Sequence, residues 1–300
     1  MVNPTKIDRL TTVYETQEFV KSIDSSMINF LYVSPKKYKR DLYVNSKILN
    51  ELDSMFINYK LLLKEDFDAN GYTDLIVTGE KYRHSFDVFA IMNQGNETYR
   101  VEYLTISGIN DFPVYPKLVY KENLPVIELY GHARMFDDTM GNISKRTLTY
   151  NVNQQAFLEY NAKPLQKEVA KIEFSRSGCF GKCPVFDLIL YKDKPSTLKA
   201  KAYNFSKTYE FGKEEGIFET MIDEDNFAKI SQLINYINSS TLKSTYFAAG
   251  TCQETLDLKI TFADGTIKAI NDYGGMGTNG LVLLYNKLSR LRFNQDWKKL

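Results

Sequence analysis

Asp66, Asp68, Asn70, Tyr72 and Asp74 occupy alternate positions of one short segment, and Gly71 follows Asn70. A hard dication such as Ca2+ takes six to eight oxygen ligands at about 2.3–2.6 Å, and this pattern offers them. Side-chain oxygens come from Asp66, Asp68, Asn70 and Asp74, a backbone carbonyl from Tyr72, and Gly71 stands where the chain must turn sharply. Carboxylates crowded in this way repel one another, and a divalent cation among them removes the repulsion. The expectation is a calcium site, loose when empty and ordered when filled. The competing reading is a plain Asn-Gly turn with incidental acidic neighbours.

A second group of reactive residues is the loop 177–184, Ser-Gly-Cys-Phe-Gly-Lys-Cys-Pro, which carries Cys179 and Cys183 between two predicted strands. Cysteines four apart on an extended strand cannot bond, but Gly178 and Gly181 permit a tight turn. Three readings stay open: a short disulfide staple, reduced thiols within the turn, or a metal or redox site. Zinc would need Cys252 and a distant His84 or His132 to complete four ligands. The spacing is not that of a redox Cys-x-x-Cys. With three cysteines in all, at most one intrachain bridge forms, and the compartment is not readable from them.

Other patterns are weaker. Residues 275–280, Gly-Met-Gly-Thr-Asn-Gly, match G-x-G-x-x-G after a strand and before a helix, but a dinucleotide site needs a second parallel strand and an acidic residue further on. Too little chain follows Gly280 for that, so a Rossmann site is not expected; a bound anion at the helix start is the milder alternative. His84 has Ser85 and Asp87 beside it, yet neighbours on a strand point to opposite faces and do not make a triad. Asp137-Asp138 reads as a solvated pair, and the basic stretch 35–40 as a solvated loop.

These groups need a scaffold, and hydrophobic period supplies its outline. Helices are expected over 17–31 and around Ile48–Phe56, then strands near 59–64, 74–79, 85–92, 98–106, 117–120, 125–130, 146–152 and 155–160. Strands in succession without intervening helices predict an antiparallel meander, capped by the two N-terminal helices. Asn161-Ala162-Lys163-Pro164 marks a seam. Beyond it come strands 169–175, 184–191 and 197–205, a helix capped by Asp223, strands 255–262 and 266–272 joined by an Asp264-Gly265 type I′ turn, and a final helix. The fold class is α+β, mainly antiparallel, with domains 1–163 and 164–300; neither a β-propeller nor a Rossmann fold is expected.

The Asp66–Asp74 segment resembles the Asp-x-Asp-x-Asn-Gly-x-x-Asp loops of FG-GAP-type proteins. That resemblance implies that Asp66, Asp68, Asn70, Tyr72 (backbone) and Asp74 hold calcium. Val77 replaces the bidentate Glu of an EF-hand at the twelfth position, so the loop should be weak and saturate where calcium is millimolar. The loop occurs once, which rules out a propeller of repeated blades. The C-terminal half, through Glu173-Phe174, the Gly-Cys-x-Gly-x-Cys-Pro run, Asp272-Tyr273-Gly274 and Leu283-Leu284-Tyr285, resembles an uncharacterised bacterial domain family common in Bacteroidota. That likeness implies an envelope or secreted context for many members and no established activity.

Composition narrows the function. Lys and Arg number 38 against 37 Asp and Glu in 300 residues, so binding nucleic acid through bulk charge is not expected. Apolar residues at 43% suffice for a core and argue against disorder. Apolar runs such as 281–285 fall far short of the ~20 residues that span a bilayer, so no transmembrane segment is expected. The N-terminal residues lack an export signal, which reads as cytoplasmic by default, or as cell envelope or secreted if a signal peptide was removed. The expected function is a non-catalytic, calcium-stabilised binding protein with a protein partner. The alternatives are an immunity-type inhibitor of a bacterial toxin, and a cysteine-dependent enzyme or redox protein using Cys179 or Cys183.

Overall fold

Two threonines open the chain's first helices in the same way. In α1 (Lys6–Arg9) and α2 (Val13–Ile23), Thr5 and Thr12 accept the N–H of the residue three positions on, and Asp8 and Glu15 reach back to the cap N–H. These capping boxes satisfy amides that the first turn leaves free. The computed structural model describes residues 4–37, 46–60, 62–81, 86–105, 112–132, 143–204, 215–248 and 250–300. The helix expected over 17–31 therefore begins earlier, at the Thr12 cap. It also ends earlier, because extended Asp24 accepts the Ser26 N–H at 2.6 Å and starts a separate 3-10 turn, Ser25–Met27. The apolar residues that suggested one long helix are buried all the same, Phe19 and Val20 from α2 and Met27 and Phe30 from the turn beyond it.

The chain divides into two units, Met1–Tyr160 and Asn161–Leu300. The first unit holds two antiparallel sheets where a single meander was expected. One contains β1 (Leu31–Tyr32), β2 (Leu63–Glu65), β3 (Asp74–Glu80), β4 (Phe86–Asn93) and β5 (Tyr99–Tyr103), in the order β1-β3-β4-β5 with β2 also on β3. The other runs β6 (Tyr115–Lys121), β7 (Leu124–His132), β8 (Ile143–Asn151), β9 (Ala156–Glu159) in sequence order.

The reason for two layers is written in β3 and β4, which are apolar at both parities and buried on both faces. Ile76, Val88, Ala90 and Met92 form a core with Ile127, Leu129, Leu148 and Phe157 of the second sheet. Leu75, Val77, Phe89 and Ile91 face the other way, onto Phe19, Val20 and Phe30. The two N-terminal helices accordingly do not share one sheet. Ile48 and Leu52 of α3 (Ser46–Met55), with Phe56, instead pack on Tyr115 of β6.

The second unit is one eight-stranded sheet. It comprises β10 (Val169–Arg176), β11 (Val185–Tyr191), β12 (Ser196–Ala202), β13 (Gly216–Thr220), β14 (Thr245–Phe247), β15 (Thr255–Phe262), β16 (Ile267–Tyr273) and β17 (Lys298–Lys299), in the order β14-β16-β15-β10-β11-β12-β13-β17. Among the described residues of this sheet, only β14 on β16 is parallel. Burial alternates along β11, β12 and β15, as a sheet with one covered face requires. α4 (Glu224–Tyr236) starts at Asp223, whose carboxylate accepts the Asn226 N–H at 3.0 Å. α5 (Asn279–Asn294) meets the sheet where the Tyr285 ring stacks on Phe174, centroids 5.7 Å apart.

β13, β14 and β17 have no counterpart in the sequence reading. β14 and β17 are two or three residues long, too brief to show a period of two. The β15–β16 hairpin also differs from expectation. Phe262 N–H donates to Thr266 and Gly265 N–H to Phe262, so the loop is the three residues 263–265. Of these only Gly265 has positive φ, +81°, which makes the turn type I with a glycine bulge; a type I′ turn needs two such residues.

The class is therefore α+β with mainly antiparallel sheets, none of them closed into a barrel or propeller among the described residues. No helix there is long and apolar enough to cross a membrane.

Candidate metal centre

The loop 66–73 connects β2 to β3, which pair antiparallel with Glu65 opposite Asp74. It is a tight connection whose backbone enters the left-handed region twice, at Ala69 (φ 57°) and Gly71 (φ 87°). The second position suits glycine; the first imposes strain on a residue that carries a Cβ. The turn brings Asp66, Asp68 and Asp74 together, each with a carboxylate oxygen within 4.8 Å of the other two.

Backbone amides orient these carboxylates. Asp66 accepts the N–H of Asn70 at 3.1 Å and of Gly71 at 2.8 Å, one on each oxygen. Asp74 accepts the N–H of Phe67 at 2.9 Å and of Asn93 at 2.7 Å. Asp68 accepts from the backbone and side-chain nitrogens of Asn70, at 3.2 and 3.1 Å. A carboxylate oxygen has two lone-pair sites, so these bonds leave each group able to ligate a cation.

Asn70 and Tyr72 brace the turn. Asn70 accepts the Tyr72 N–H at 2.8 Å on Oδ1, and its Nδ2 donates to the Asn93 carbonyl at 2.8 Å. The Tyr72 ring lies against Gly95. Four of the five residues of the sequence pattern thus sit in the turn and Asp74 opens β3, and the mutual approach of side-chain oxygens belongs to the three aspartates.

The charges are not balanced from within. Asp74 is wholly buried, and burial above all, reinforced by the neighbouring Asp68 and Asp66 charges, pushes its carboxyl up to about 7 against the two N–H donors. Burial also raises Asp68, Asp66 adds to that rise, and Arg100 opposes it. Arg100 is committed elsewhere: it pairs with Glu102 at 2.5 Å and donates to the Tyr150 hydroxyl at 2.7 Å and the Gln155 carbonyl at 2.9 Å. A divalent cation coordinated by oxygen suits this donor set: three hard carboxylates, one of them held in a dry position where ionisation is costly.

Sequence reasoning did not find Asn93 or Arg100. Residues 93–96 read as a turn and nothing more, because the partnership of Asn93 with the loop arises only when β3 pairs with β4. Arg100 reads as an ordinary polar residue on a strand.

The other candidates resolve as follows. Cys179 and Cys183 are joined in a disulfide with Cα atoms 5.6 Å apart, and Cys252 is free and exposed. At the G-x-G-x-x-G run, buried Asp272 accepts the N–H of Met276 at 2.7 Å and of Gly277 at 2.9 Å. The chain's own carboxylate therefore uses the amides that a phosphate would need, and β16, which leads into the loop, is antiparallel to β15. Asp87 is buried and accepts the Thr105 hydroxyl at 3.0 Å, and the His132 ring stacks on Phe112. His84, Ser85, Asp137, Asp138 and residues 38–40 lie outside the described residues.

Residues 170–292 match the family model of a domain of unknown function, DUF6438. The matched segment lies inside the second unit and leaves the acidic loop outside it. No curated protein and no solved structure matches the chain.

Proposed function

We propose that this is a calcium-stabilised binding protein whose first unit is locked by one ion among Asp66, Asp68 and Asp74, with Asn70 and the Tyr72 carbonyl completing the shell. The observation that carries the reading is the approach of three carboxylates to within 4.8 Å around a fully buried Asp74. The ion's role is structural. Its ligands tie the β2–β3 turn to the end of β4 through Asn93, so neutralising them stabilises the junction on which the first sheet depends.

Val77 at the twelfth position supplies no bidentate carboxylate, and the affinity belongs to the weak range that extracellular modules use. The resemblance of Glu173-Phe174, residues 178–184, Asp272-Tyr273-Gly274 and Leu283-Leu284-Tyr285 to an uncharacterised bacterial domain family, which implies an envelope or secreted context for many members, supports the same setting, where millimolar calcium is available.

Thermal melts of the full chain at neutral pH, with 5 mM calcium and with chelator, test the proposal. With Kd in the range of about 0.1–1 mM, 5 mM calcium is about 5–50 times Kd and stabilises by about 1–2 kcal/mol, so Tm should rise by a few degrees with calcium. Asp68→Ala, which removes a ligand but no buried hydrogen bond, should abolish the difference. Identical melts of the unaltered chain in both buffers would overturn the reading.

A further inference from the structure

Cys252 lies across the strand pair from the loop that carries the Cys179–Cys183 disulfide, at one end of the second unit's sheet. β10 pairs with β15 up to Arg176 opposite Leu256. The pairing continues beyond the strands, Ser177 N–H donating to the Thr255 carbonyl and, past a short gap, Phe180 N–H donating to the Cys252 carbonyl, both at 3.0 Å. Cys252 therefore lies across the ladder from Phe180, the residue next to Cys179. Adjacent Cα atoms are about 3.8 Å apart, so Cys179 is the closer along the chain of the two bonded cysteines, while Cys183 lies three residues beyond Phe180.

The surroundings are open. Phe180 is 88% exposed between the bonded cysteines, and Cys179 and Cys183 are themselves part-exposed. Cys252 is exposed and held at φ 68°. A residue with a Cβ occupies that region at a cost. A structural staple needs neither a third cysteine across the strand pair from its loop nor an exposed aromatic ring between its cysteines.

We propose that Cys179, Cys183 and Cys252 form one thiol–disulfide exchange centre, in which Cys252 competes with Cys183 for the bond to Cys179. The Cys252 thiolate attacks Sγ of Cys179. A Cys252–Cys179 bond forms as the Cys179–Cys183 bond breaks, and its electron pair leaves on Cys183 Sγ. The proton that Cys252 lost to water is returned to Cys183, so no oxidant or reductant is consumed. The exchange moves the free thiol from residue 252 to residue 183, where its thiolate attacks an incoming disulfide of a small molecule or peptide, forming a mixed disulfide with Cys183 as the other half of the incoming disulfide leaves as a thiolate. Glutathione is the simplest probe of that class.

Disulfide mapping by mass spectrometry of the full chain decides the matter. Cys183→Ser is equilibrated in a glutathione redox buffer, quenched in acid, alkylated and digested. The Cys179–Cys252 peptide should dominate, and its share should fall when the same variant is equilibrated in denaturant. The unaltered chain at pH 8 with a trace of glutathione should yield a minor Cys179–Cys252 species with Cys183 alkylated, an arm that does not depend on the variant folding. Alkylation of both Cys179 and Cys252 in the variant, with only Cys179–Cys183 in the unaltered chain, would overturn the proposal.

Discussion

The carboxylate of Asp74 accepts the backbone N–H of Asn93 at 2.7 Å, nineteen residues further along the chain. Its other oxygen accepts the N–H of Phe67 at 2.9 Å. One buried side chain thus holds the start of the acidic loop, the start of β3 and the end of β4. Asp68 has no such duty, since its bonds stay within the turn.

This difference separates ligation from scaffolding. With chelator present, Asp74→Ala should lose about 2–4 kcal/mol in urea denaturation, because two backbone amides are left without their acceptor. Asp68→Ala should lose less than about 1 kcal/mol under the same conditions. Equal losses would mean that the Asp74 bonds contribute nothing beyond local turn geometry.

Asp272 does for the glycine loop what a bound phosphate does in a nucleotide site, with its oxygens on the N–H groups of Met276 and Gly277. Asp272→Ala should destabilise the protein by about 2–4 kcal/mol through those orphaned amides. Millimolar NAD+ should leave the Tm of the unaltered chain unchanged. A nucleotide-dependent rise would contradict the assignment of these amides to the chain's own carboxylate.

Glu15 gives the fold an acid-sensitive helix start. The N–H groups of Thr11 and Thr12, with their hydroxyls in support, hold its carboxyl down at about 2 from an ordinary 4.5. A depressed folded-state pKa stabilises above the unfolded value, and the benefit is lost as pH falls through the folded one. The contribution is therefore full above about pH 4.5 and gone near pH 2. The NMR signal of the Glu15 carboxyl carbon should titrate with a midpoint near 2; a midpoint at 4.5 would mean that the capping box does not persist in solution. Glu15→Gln should remove this limb of the acid transition.

Much of the local structure was legible before any coordinates. Capping residues, turn glycines and hydrophobic period act over a few residues, so the positions of most strands and of α3, α4 and α5 followed from them. The acidic loop was legible for the same reason, since Asp66, Asp68, Asn70, Tyr72 and Asp74 lie within nine residues. The long helix expected over 17–31 was wrong because period alone cannot see Asp24 ending one element and beginning another.

What the tertiary structure decided is everything that depends on pairing between distant residues. β3 and β4, apolar at both parities, could have been read as two strands of one sheet covered by helices; only packing showed a second sheet on one face and α2 on the other. Asn93 became part of the loop, and Cys252 came to lie opposite Phe180, by strand register. Burial of Asp74, which makes its charge costly, is likewise a property of the assembled sheets. The sequence by itself determined which groups have the chemistry to ligate or exchange. Which of them stand in dry surroundings and beside which partners depends on long-range contacts, and no local pattern encodes those.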